Sequence, residues 1–310
     1  QLAAMVEGGI VAPPEVLTYS PQDRVRDRWL QRSINQGGTN LAGVRDRILA
    51  AAEIKRHGVL LDINAGTGLL TWEAVRRTPE GSVWALLGDE KSASGLRAQA
   101  LNLDEMDRPV IMVGSLKRIR KLVSAEGEGD VRFDSVVGRN ALLPISDKVV
   151  AVEAVAQALA PDGTISFVEG VPRLGQRIYN LVDREGLDKN LVEKWIAAEE
   201  AIYEDSDDPM VNWNRDDLLH AFDRAGLLMK HFHSEQTTIE ILVTEAVLSR
   251  WFPEVSGASK IPARPSYRER LAALLSPDEV DQIRRYITLK LAGKQTPWTS
   301  ESIYLVAVWK

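Results

Sequence analysis

Between residues 59 and 68 an apolar run, Val59, Leu60, Leu61 and Ile63, is interrupted by one acid, Asp62, and closes on Asn64, Ala65, Gly66, Thr67 and Gly68. Gly66 and Gly68 let the backbone pass close to a bound group, and the helix that follows points unpaired N–H groups at it. A nucleoside cofactor is the natural occupant of such a turn. Further along, Asp89 and Glu90, Ser115, and the pair Arg139-Asn140 each follow a short apolar run with one glycine, Gly88, Gly114 or Gly138, between. Polar side chains at strand ends are placed to meet a ligand. Metal chemistry has little to draw on: the chain has no cysteine and four histidines, of which only His231 and His233 are close in sequence.

These residues need strands and helices to carry them. Val59 to Ile63, Ser82 to Leu87, Val110 to Val113, Asp134 to Val137 and Thr164 to Val168 predict five buried strands. Leu69 to Arg77 and Lys91 to Asn102 predict helices between them. Alternating strands and helices imply a parallel sheet covered on both faces. Later, Leu174 to Tyr203 predicts a helix broken at Gly186, Arg215 to Ala225 another, and Thr237 to Ala246 and Ser302 to Trp309 two closing strands. Trp213, between Asn212 and Asn214, offers either a stacking platform or a loop anchor buried in the core, and the anchor is the commoner use. Tyr267 to Leu275 and Pro277 to Ala292 predict two more helices, the second opened by a Ser276-Pro277-Asp278-Glu279 capping box.

Asp62, Gly66 and Gly68 resemble motif I of the class I S-adenosylmethionine-dependent methyltransferases, Asp/Glu-x-Gly-x-Gly-x-Gly, with Asn64 where the first glycine is usual. A dinucleotide fingerprint would need a third glycine where Thr71 stands. Leu159-Ala-Pro-Asp-Gly163 is similar to the Leu-x-Pro-Gly-Gly turn of the same family. The resemblance spans most of residues 40 to 310. It implies a Rossmann-like α/β fold, a seven-stranded, mostly parallel sheet with helices on both faces and a helical insertion before the last strand. It also implies S-adenosylmethionine as cofactor, held by Asp62, Asn64, Ala65, Gly66 and Gly68, with Asp89 on the ribose, Ser115 at the adenine and Asn140 facing the transferred methyl. The chain departs from the family in two places: Leu87 ends the second strand where an acid is usual, and Ser115 replaces an acid after the third. Motif IV, Gly138-Arg139-Asn140-Ala141-Leu142-Leu143-Pro144, lacks the Pro-Pro-Tyr of amino-methylating members.

The 310 residues, 45% of them hydrophobic, suffice for one large core with an added subdomain. The reading divides them into an N-terminal linker and helical arm (1–40), a methyltransferase-like core (41–248), a helical insertion (249–300) and a closing strand (301–310). No apolar run is long enough to span a bilayer, and the amino end lacks a secretory pattern, so the expectation is a cytoplasmic protein that does not enter membranes. Net charge is −6, but Arg24, Arg26, Arg28 and Arg32, and again Lys117, Arg118, Arg120 and Lys121, form basic clusters. They permit nucleic-acid contact without demanding it. The methyl acceptor is not legible. The insertion and the abrupt start at Gln1 also resemble a methyltransferase-like region joined to a bacterial AAA+ recombination factor, which leaves open a non-catalytic docking module beside a linked or partner protein. A nicotinamide oxidoreductase is a third reading.

Overall fold

The computed structural model describes residues 41–126, 130–254 and 265–310; the predicted linker and arm over 1–40 lie outside them. A helix over residues 41–51 (α1) leads into strand β1 (Val59–Asp62). There follow α2 (Thr71–Arg77), β2 (Ser82–Leu87), α3 (Glu90–Ala100), β3 (Val110–Val113), α4 (Ile119–Ala125), β4 (Phe133–Arg139), α5 (Lys148–Ala158) and β5 (Leu159–Gly170). The chain continues through α6 (Lys189–Tyr203), α7 (Arg215–Arg224), β6 (Leu227–Leu242), α8 (Glu245–Trp251), α9 (Tyr267–Leu271), α10 (Pro277–Leu291) and β7 (Gln295–Trp309).

The seven strands form one sheet in the order β3-β2-β1-β4-β5-β7-β6. β1 to β5 run parallel, so their carboxyl ends share one edge, and β7 enters antiparallel between β5 and β6. Side chains alternate across the pleat. Leu60, Val83, Val137 and Val168 face Ile48, Leu49 and Ala52 of α1 and Ala74 of α2, while Leu61, Trp84, Val136 and Phe167 face Ile119, Val155, Leu218 and Phe222 on α4, α5 and α7. A strand buried on both faces has no polar positions to spare, which explains the continuous apolar runs.

The long closing pair departs from the predicted boundaries. β6 starts at Leu227, ten residues earlier than the apolar alternation suggests, because its first half is an edge strand carrying exposed Lys230, His231 and His233, with a bulge between Met229 and His231. β7 pairs with β5 only from Ser302 to Val308, so Gln295 to Glu301 pairs with β6 alone, as a two-stranded ribbon beyond the sheet.

A second apolar cluster forms around that ribbon. Trp195 and Leu191 of α6, Leu248 of α8, Leu271 of α9 and Ile283 and Ile287 of α10 share it, and Ile241 and Trp298 of the ribbon pack against it. The helical insertion is therefore one half of a cap whose other half, α6, lies between β5 and α7. Residues 174–188 form no α-helix: short 3-10 turns at Pro172–Leu174 and Ile178–Asn180 stand in place of the predicted first half of that helix. Gly175 and Gly186 make a helix costly there, and Asp188, whose carboxylate accepts from the Leu191 N–H, caps α6 instead. No described helix is long and apolar enough to cross a membrane.

Candidate functional site

The glycine turn leaves β1 at the carboxyl edge and is built from the inside out. Asp62 is fully buried; its carboxylate accepts from the Thr71 hydroxyl at 2.8 Å and from the Asn64 N–H at 3.3 Å, tying the strand end to the first residue of α2. Burial pushes its pKa up to about 6, against the pull of these hydrogen bonds. Ala65 is also buried, and its N–H donates to the Leu86 carbonyl of β2 at 3.1 Å. Gly66 (φ +53°) and Gly68 (φ +88°) both adopt left-handed backbone. They serve differently. A Cβ on Gly68 would lie 2.2 Å from the Trp72 indole nitrogen, which is buried and without a hydrogen-bond partner, whereas a Cβ on exposed Gly66 would meet nothing nearer than the Asn64 carbonyl at 4.0 Å. Among the described residues, the outer side of the turn is thus open for a ligand to approach the backbone.

Asn64 joins this turn to the end of β4. Its side-chain amide donates to the Arg139 carbonyl at 2.9 Å and to the Asn140 carbonyl at 3.3 Å. Asn140 is itself left-handed, at φ +51°, and its side-chain oxygen accepts from the Gly170 N–H at 2.8 Å. Directly beyond it, the three successive N–H groups of Ala141, Leu142 and Leu143 converge on the carboxylate of Glu169, at 2.9, 3.0 and 2.9 Å. Glu169 is fully buried at the end of β5, and desolvation pushes its pKa up to about 7 while the three N–H groups and nearby Lys148 pull it down. Lys148, largely buried, donates to the Ile145 and Pro209 carbonyls; burial lowers its pKa to about 8. Glu169 escaped the sequence reading. Its signal is an acid closing the run Ile165-Ser166-Phe167-Val168, which is apolar but for Ser166.

The remaining positions spread along the same edge. β2 ends at Leu87, which is buried among Ala85, Ala93 and Leu96 with Trp72 against them. Asp89 is exposed and caps α3: its two oxygens accept from the Ser92 N–H at 2.9 Å and the Ser92 hydroxyl at 2.8 Å, and these bonds lower its pKa. Ser115 is exposed just after β3, and its hydroxyl makes no capping bond. Trp213 is the loop anchor, buried in the main core with Lys148 above its ring. No group of three or more metal-ligating side chains occurs among the described residues.

No family model and no curated protein matches this sequence. Solved structures do. A candidate methyltransferase from Bacillus halodurans superposes with a TM-score of 0.50 over 85% of this chain and 97% of its own, at 15% identity. The chain has the class I methyltransferase fold. A candidate sarcosine dimethylglycine methyltransferase from Galdieria sulphuraria gives 0.45 over 93% of this chain and 91% of its own, at 15% identity. A geranyl diphosphate methyltransferase in complex with S-adenosylmethionine gives 0.47 over 94% and 93%, at 14% identity. The strand order, with antiparallel β7 between β5 and β6, belongs to this fold, and Asn64, in the glycine turn after β1, bonds the Arg139 and Asn140 carbonyls at the end of β4.

Proposed function

We propose that the chain is an S-adenosylmethionine-dependent methyltransferase whose acceptor is still to be identified. The observation that carries this reading is the open, left-handed backbone at Gly66, laced through Asn64 to the end of β4. A ligand can lie against Gly66 because, among the described residues, no side chain occupies the space a Cβ would take. In this reading Asn64, Ala65, Gly66 and Gly68 shape the cofactor seat, and Asp62 acts from beneath by holding the turn to Thr71. Asp89 and Ser115 are the exposed polar groups at the ends of β2 and β3 assigned to the ribose and adenine. Asn140 and its neighbours, clamped by Glu169, form the rigid wall on which the acceptor is aligned. The cofactor, when bound, supplies an electrophilic methyl whose bond to sulfur breaks as the bond to the acceptor nucleophile forms. Such a displacement depends chiefly on alignment, so a rigid wall contributes more than an acid or base would. The reading assigns the chain to the cytoplasm, and fractionation of the full-length protein tests that.

Calorimetric titration with S-adenosylhomocysteine decides the main point. We expect saturable binding with a dissociation constant on the order of micromolar, lost in Gly66→Val while the thermal unfolding profile keeps its cooperative shape. Absence of heat at millimolar ligand sinks the enzyme. One observation favours a second reading, a non-catalytic module docking to a linked or partner AAA+ protein: Leu87 is buried where the family places its ribose-binding acid, and Asp89 already spends both oxygens on Ser92. Partner capture by a variant that never binds the cofactor supports that alternative.

A further inference from the structure

Arg139, the last residue of β4, stands one residue before Asn140, and its own carbonyl is held by Asn64 of the glycine turn. Its guanidinium is half-buried, and among the described residues it donates no hydrogen bond and enters no ion pair. Desolvation lowers its pKa, with Glu169 and the Tyr304 hydroxyl as the groups that pull it back up. Neither gives it a bonded partner. The Glu169 oxygens are taken by three backbone N–H groups, and Tyr304 lies under the guanidinium of Arg47, which pairs with Glu235 at 2.7 Å. A half-buried guanidinium whose planar set of N–H donors meets no protein acceptor among the described residues is available to a ligand. A carboxylate or phosphate, which accepts two parallel N–H bonds from one guanidinium, is the group whose shape and charge match those donors.

We propose that Arg139 is the specificity-determining residue of this site and that the methyl acceptor carries an anionic group, carboxylate or phosphate, which the Arg139 guanidinium receives. The inference rests on the methyltransferase reading for the word acceptor, but the anion site itself does not. A second positive charge brought to the carboxyl edge by a sulfonium cofactor makes a neutral or cationic acceptor the poorer match.

Phenyl phosphate, benzoate and neutral benzyl alcohol are titrated into the protein with and without saturating S-adenosylhomocysteine, for the native chain, Arg139→Gln and Arg139→Lys. One of the two anions is expected to bind at least about tenfold tighter than benzyl alcohol, the difference made by charge-assisted hydrogen bonds. Arg139→Gln is expected to abolish that preference and Arg139→Lys to keep part of it, with S-adenosylhomocysteine affinity within about twofold throughout, less than one lost neutral hydrogen bond. Should the Gln variant not fold, the Lys variant decides through its partial loss. Equal binding of anions and alcohol, or a preference unmoved by either substitution, overturns the proposal. So does a loss of about tenfold or more in S-adenosylhomocysteine affinity in Arg139→Gln, the scale of one charge-assisted bond, since it hands the guanidinium to the cofactor's own carboxylate. If S-adenosylhomocysteine never binds, the methyltransferase reading fails by itself, and the titration of the ligand-free protein still decides whether Arg139 is an anion receptor.

Discussion

At the scale of single residues, the two glycines of the turn are distinguishable by experiment. Gly66→Ala carries only the strain of a left-handed backbone, about 1–2 kcal/mol, because among the described residues its methyl meets nothing nearer than the Asn64 carbonyl at 4.0 Å. Gly68→Ala adds a collision with the Trp72 indole and is expected to lose more, on the order of 2–4 kcal/mol. Chemical denaturation of the two variants checks the order, and equal losses refute it. Glu169 gives a pH signature. Its folded pKa, about 7, lies above the ordinary 4.5, so the folded state binds the proton more tightly. The stability this adds is complete below about pH 4.5 and is lost as pH rises through 7. Asp62 and Glu199 act in the same direction, with folded values of about 6 and about 7. Glu169→Gln is therefore expected to flatten, without abolishing, the fall in stability between pH 4.5 and 7. Melting curves across that window show it, and an unchanged slope counts against a buried, titrating Glu169.

At the scale of elements, several helices are stopped and started by side chains that the sequence displays openly. Ser276 and Glu279 form the predicted reciprocal box at the start of α10, and Asn214 with Asp217 does the same for α7. Ser276→Ala is expected to cost about 1 kcal/mol of stability, measured by denaturant titration; no loss would mean the box is redundant with the packing of Val280 and Ile283. Such caps are legible because they act within four residues. The 174–186 segment departs from its helical periodicity for the opposite reason. Its apolar residues Ile178 and Val182 satisfy a helical spacing, yet they are buried against α6 and α10 from short turns held by distant groups: the Arg177 guanidinium donates to Glu200, and the Ile178 N–H donates to Glu199 at 2.5 Å. Periodicity reports that a residue is buried, not which backbone buries it.

At the scale of the molecule, two apolar cores share one chain, and a polar knot lies inside the smaller. Buried Glu199 accepts from the Tyr267 hydroxyl at 2.5 Å, and that hydroxyl accepts from the Trp195 indole N–H at 2.7 Å. Tyr267→Phe strands the Trp195 indole N–H and removes one of the hydrogen bonds to Glu199, which keeps those from the Ile178 and Tyr179 N–H groups, so a loss of about 1–3 kcal/mol is expected to fall on the cap. Native-state hydrogen exchange checks this: amides of α6 and α10 should lose protection while those of β1 to β5 keep it. Uniform loss across both cores would show that they unfold as one unit.

The sheet was largely decided by local chemistry. Five apolar runs separated by helix signals admit few arrangements other than a parallel sheet covered on both faces, and a glycine pair after the first strand marks its working edge. Those facts are carried by neighbours in sequence, so they survive being read one segment at a time. What only the folded chain decided is who meets whom across it: Asn64 with Arg139 and Asn140, Glu169 with three amides of the β4 end, α6 with the insertion, and an arginine left without a partner. Each of these joins residues tens of positions apart. Hydrogen-bond satisfaction and desolvation are properties of the whole packing, and no local pattern encodes them.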